Sequence, residues 1–95
     1  MTTPLTSGQK RELKARAQRM DATLRVGRAG LTDGWLRSMD EELTLHELVK
    51  IRFAELKEER KQLAPEIASR TSSELVTVLG NVAVFYRPKS GAQES

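Results

Sequence analysis

The sequence predicts an α+β (α/β two-layer) domain with the order α-β-α-β-α-β-β and a mixed four-stranded sheet. Three observations predict it. Stretches with apolar residues at helical spacing alternate with short runs whose apolar residues fall at every second position. One strand-like run ends in two glycines three apart and leads straight into a helix start, at Val26-Gly27-Arg28-Ala29-Gly30-Leu31-Thr32-Asp33. Near the C-terminus, two β-rich runs flank Gly80-Asn81, a pair suited to a type II′ hairpin turn.

Ninety-five residues, 38% hydrophobic and 31% charged, suit one folded domain rather than two or a disordered chain. That domain is expected over residues 5–88, with flexible tails at 1–4 and 89–95. No apolar run approaches membrane-spanning length, and the N-terminus has no signal-peptide pattern. The absence of cysteine rules out disulfides, a thiol nucleophile and thiolate metal sites. A cytoplasmic location is the resulting expectation.

Charge is unevenly spread. Residues 1–30 carry seven Lys/Arg against two acids, residues 31–74 seven against ten, and residues 75–95 two against one, for +3 overall. Positive charge therefore gathers before and within the glycine loop, which points to an anionic partner at that end.

Thr6 and Gln9 form a capping-box pair that opens a helix over 7–19. Its apolar stripe is thin (Leu13, Ala17, Met20), and Lys10, Arg11, Lys14, Arg16 and Arg19 fill most of the rest. One narrow side can dock on the domain while a basic side faces water or a ligand. Thr23 to Val26 reads as a strand with Leu24 and Val26 on one face. Thr32 is a suitable N-cap for a helix over 33–45, with Asp33 favourable to the helix dipole and Leu31 and Leu36 placed for a hydrophobic staple. Leu36, Met39 and Leu43 make its inner stripe, Trp35 lies beside them, and Asp40, Glu41 and Glu42 make an acidic outer face.

Residues 47–54 give the clearest strand: Val49, Ile51 and Phe53 alternate with Lys50 and Arg52, which must project from the other sheet face. Residues 56–71 read as one helix, kinked by Pro65. Leu75–Leu79 and Val82–Arg87 form the final hairpin. Each strand–helix–strand passage predicts a parallel pairing with a right-handed crossover.

Catalytic constellations are missing. The loop has neither the P-loop spacing nor a dinucleotide fingerprint. A lone His46 without cysteines makes no zinc site, and no nucleophile or paired acid/base stands out. The expectation is a non-enzyme with no cofactor, no metal and no small-molecule substrate. What remains is cationic: Arg25 and Arg28 at the loop, Lys10 and Lys14 on the first helix, Lys50 and Arg52 on a strand, Arg87 and Lys89 at the last strand's end. If these converge with the backbone amides of Gly27, Arg28, Ala29 and Gly30, they make a surface that reads a nucleic-acid backbone. Aromatics are few, so backbone and folded-RNA shape are favoured over base-by-base stacking.

Three segments in this order, VGRAGLTDG, HELVKIRF and VLGNVAVFYRP, resemble the YhbY-type CRM domain, named for chloroplast RNA splicing and ribosome maturation. The resemblance covers about residues 5–88. It implies a fold similar to the C-terminal domain of bacterial translation initiation factor three and a G-x-x-G loop that binds RNA. Carried onto this chain, that loop is Gly27, Arg28, Ala29 and Gly30, with Lys50 and Arg87 as supporting cations. The loop joins strand to helix, so a KH assignment does not fit, and Pro65 departs from the family pattern. Stand-alone bacterial members are similar to assembly factors on precursor large ribosomal subunits, so the resemblance implies rRNA as partner; a monomer with no membrane partner is also expected. Alternatives are a protein-interaction module docking through the acidic helix or a sheet edge, an RNA splicing or chaperone-type factor, a DNA binder, and, remotely, a hydrolase around His46. A Gly30→Asp change is expected to weaken RNA binding and leave the fold largely intact.

Overall fold

The computed structural model describes residues 5–88; the tails expected at 1–4 and 89–95 lie outside the described residues. The order is α1 (Ser7–Ala17), β1 (Leu24–Val26), α2 (Asp33–His46), β2 (Leu48–Phe53), a single 3-10 turn (Lys57–Glu59), α3 (Arg60–Thr71), β3 (Glu74–Leu79) and β4 (Val82–Tyr86). The expected α-β-α-β-α-β-β succession is therefore present.

The sheet runs β1-β2-β4-β3. β1 pairs with β2 in parallel, as a strand–helix–strand crossover requires. β2 and β3 do not pair directly, contrary to expectation: β4 lies between them, antiparallel to both. The reason lies in composition. Ala83, Val84 and Phe85 are all buried, so the most apolar strand takes a central position, while β3, ending in exposed Leu79, takes the edge. Gly80 has φ +60° and Asn81 a negative φ, the sign pattern of the expected type II′ turn. A bulge between Leu75 and Thr77 turns both Val76 and Thr77 toward the α1 side.

Helices occupy both sheet faces, adding a partial third layer to the expected two. α2 and α3 cover one face over a core of Val26, Met39, Leu43, Val49, Ile51, Phe53, Ile67 and Phe85. α1 lies alone on the other, where Leu13 and Ala17 pack with Leu48, Val76 and Val84. Its capping box is formed: Gln9 N–H donates to Thr6 Oγ1 at 3.1 Å and Thr6 N–H to Gln9 Oε1 at 2.9 Å.

The element expected over 56–71 divides at its start. Leu56 sits in the left-handed region (φ +54°), one 3-10 turn follows, and α3 begins only at Arg60 before running through Pro65. Pro65 is exposed, so the carbonyl that loses its donor lies on the watery side. At the far end Ser72 does the work of a C-terminal glycine at φ +54°, and Ser73 N–H closes on the Ala68 carbonyl at 2.9 Å.

Candidate nucleic-acid interface

The G-x-x-G segment is an open bend. Gly27, Arg28 and Ala29 are exposed and Gly30 is half-buried. Gly30 N–H donates to the Gly27 carbonyl at 3.1 Å, which closes the turn, and Thr32 N–H donates to the Gly30 carbonyl at 3.1 Å. The two glycines serve different needs. Gly30 has φ +74°, and a Cβ there would stand 3.4 Å from Leu56 Cδ1; a Cβ on Gly27 would meet open space. Thr32 then caps α2 as expected, accepting from Trp35 N–H at 3.1 Å.

Two contacts hold the bend from beneath. Trp35 Nε1 donates to the Arg25 carbonyl at 2.8 Å, using an acceptor that edge strand β1 leaves unpaired. Leu56 packs under Gly30, and the N–H groups of Ala54 and Glu55 both donate to the Val26 carbonyl, at 3.1 and 3.0 Å. Neither support was foreseen in the sequence. A donor-only indole on the inner side of α2 needed an acceptor, and that was the available signal for the first. The acidic run that follows, Glu55, Glu58 and Glu59, is exposed, so phosphates are repelled from that flank.

The expected cations separate into three groups. Arg25, Arg28 and Arg52 are exposed, and none of their side chains has a hydrogen bond or ion pair among the described residues. Arg25 and Arg52 are register partners on the face away from α2 and α3, next to the loop that leaves β1. On α1, Lys14 lies at the rim of a groove against β3 and β4, with Lys10 one turn earlier. Lys50 and Arg87 are differently engaged. Lys50 Nζ donates to the Met20 carbonyl at 2.9 Å and the Ala17 carbonyl at 3.2 Å, so its charge sits at the C-terminal end of α1.

Arg87 stands at the opposite end of the sheet from the loop, where its N–H donates to the Glu47 carbonyl at 2.8 Å. Its guanidinium donates to Asp40 Oδ1 at 2.6 Å, the Asp40 carbonyl at 3.0 Å, Thr44 Oγ1 at 2.8 Å and the Thr71 carbonyl at 2.7 Å. It fastens α2 to α3 and is not brought to the loop. His46 is exposed on the last turn of α2, 3.5 Å from Glu42 Oε1. Among the described residues no three His, Asp or Glu side chains converge as metal ligands. No described helix is long and apolar enough to cross a membrane.

Known proteins resemble this chain in sequence and in fold. A Haemophilus influenzae protein named an RNA-binding protein is 35% identical over 92 residues, covering 96% of this chain and 93% of its own length. A Pseudomonas aeruginosa protein named a probable RNA-binding protein is 33% identical over 84 residues, covering 87% and 81%. The solution structure of a Staphylococcus aureus protein, described as a candidate RNA-binding protein, superposes with a TM-score of 0.78 at 32% identity over 90% of this chain and 91% of that one. Residues 5–87 match the CRS1/YhbY (CRM) domain, and the chain belongs to that family.

Proposed function

We propose that this chain is a non-enzymatic RNA-binding protein that acts in the cytoplasm as an assembly factor on precursor large-subunit rRNA. The observation that carries the reading is the juxtaposition of an exposed bend, Gly27 to Gly30, with unpaired Arg25 and Arg52 on the adjoining sheet face. Amide hydrogens of Gly27, Arg28 and Ala29 would contact phosphate, the Gly30 N–H being used within the turn; Arg28 at the tip would add attraction, and the bend opens into the positive end of α2. Lys10 and Lys14 extend the cationic surface along α1. The names carried by the relatives support an RNA ligand, and the family match supports a domain whose work is binding rather than catalysis.

Phosphate contacts position a ligand without reading its sequence. If about five phosphates of single-stranded RNA are neutralised, log K should fall with log salt at a slope near −3.5. Filter binding over a salt series measures that slope, and a flat dependence would overturn the backbone-reading site. Crosslinking the protein to RNA in cell extract and sequencing the attached fragments tests the partner. Enrichment of precursor large-subunit rRNA is the expected result, and fragments spread over unrelated RNAs would remove the assembly role. Retention on a protein partner after nuclease treatment would favour an interaction module instead.

A further inference from the structure

The sheet face that carries Arg25 and Arg52 does not stay cationic. Register pairing puts Arg25 beside Arg52, Arg52 beside Val82, and Val82 beside Leu79, one residue from each strand at one level of the sheet. The row spans three inter-strand spacings, about 14 Å. It begins at the strand that feeds the glycine bend and ends in apolar side chains. At that apolar end a groove of about 250 Å³ opens between α1 and the hairpin, lined by Lys14, Ala17, Thr77, Leu79, Val82 and Val84 among others. Leu79 is 69% exposed, one of two large apolar side chains that the described residues leave in water.

We propose that this groove receives an unstacked nucleobase of the RNA strand whose backbone lies on the bend and on Arg25 and Arg52. The inference rests on the RNA-binding reading above and adds a base subsite to it. Its argument is charge complementarity. A nucleobase is an uncharged ring with apolar faces, tethered to an anionic chain. Its pocket therefore needs apolar walls, cations beside the mouth and no carboxylate within. No acidic residue lines the groove; two cations do, Lys14 and Lys50, the latter with its Nζ held by the Ala17 and Met20 carbonyls, and Arg52 neighbours Val82 across the strand pair. The Thr77 hydroxyl, turned inward by the β3 bulge, offers a donor and an acceptor for a base edge. The volume is below the ~300 Å³ at which pockets for drug-sized ligands begin, which suits a single ring system.

The test compares two probes of equal charge: a short single-stranded oligouridylate, and an abasic ribose-phosphate chain of the same length. Fluorescence anisotropy at fixed salt should show the wild type binding the base-bearing chain about tenfold more tightly. Leu79→Gln, at an exposed position where the fold tolerates change, should cut that ratio to about twofold or less without altering the salt slope. Val82→Thr should act in the same direction. Equal affinity of the wild type for both probes, together with a steep salt dependence, would overturn the base subsite and leave the backbone site standing. A ratio that persists in both variants would also overturn it. So would an RNA-free dimer in sedimentation that Leu79→Gln dissolves, since a second copy would then fill the groove. Failure to bind either probe would overturn both readings.

Discussion

Arg25 and Arg52 are direct neighbours across the parallel β1–β2 pair, on one face, with no acidic partner for either side chain among the described residues. Adjacent like charges weaken a strand pair by a fraction of a kcal/mol. Replacing either arginine by alanine should therefore leave the thermal midpoint unchanged or slightly raised. RNA affinity should fall at the same time, and the salt slope should lose about 0.7 for each phosphate contact removed. Melting curves and a salt-series titration on the same two variants check both halves. A loss of stability together with affinity would mean that these residues hold the sheet rather than the ligand.

The bend makes a second prediction, which corrects the expectation for Gly30→Asp. At φ +74°, with Leu56 Cδ1 at 3.4 Å from a would-be Cβ, any L side chain at position 30 is strained by about 1–2 kcal/mol. Gly30→Asp therefore confounds binding with stability. Gly27 has open space around it and no left-handed φ. Gly27→Ala should be neutral to the fold, and Gly27→Asp should weaken RNA binding about tenfold through charge repulsion alone. Urea midpoints separate the positions: lowered for Gly30→Ala, unchanged for Gly27→Ala.

Most of the fold was legible because local signals agreed with one another. The Thr6–Gln9 box, the Thr32 cap and the Gly80-Asn81 turn are satisfied by residues close in sequence, and the alternation of Val49, Ile51 and Phe53 is written within one strand. What was not legible depends on distant partners. The insertion of β4 between β2 and β3 is decided by which strand buries most, not by any turn. The late start of α3 depends on Leu56 adopting a left-handed conformation to reach beneath Gly30. For the candidate interface, charge counting singled out the cations before and within the loop but could not separate solvated cations from bonded ones. Arg52 and Lys50 lie two apart on one strand face, yet only Lys50 meets the carbonyls that end α1.

Arg87 should behave as a structural residue. Its side chain is 18% exposed and donates to α2 at Asp40 and Thr44 and to α3 at the Thr71 carbonyl. Arg87→Ala leaves several acceptors unpaired at once and should cost about 2–3 kcal/mol. Arg87→Lys should recover only part of this, because an ammonium cannot reproduce the planar fork. Denaturant midpoints measure both variants. RNA affinity at a temperature where each remains folded should stay within about twofold of the wild type.

Lys50 gives the sharpest separation of structure from binding, because the family resemblance counts it among the supporting cations while its ammonium is held by α1. α1 docks through few buried side chains, chiefly Leu13 and Ala17, so the two hydrogen bonds from Nζ matter to its seating. Lys50→Met keeps most of the aliphatic stem and removes the donors, which should cost about 1–2 kcal/mol and speed amide exchange in α1 ahead of the sheet. The RNA readout then decides the role. If Nζ serves only α1, the salt slope of Lys50→Met matches the wild type, while Arg52→Ala on the same strand lowers it. If Nζ leaves the α1 carbonyls to meet phosphate when RNA binds, both variants lower the slope alike, and the free protein alone shows the stability loss.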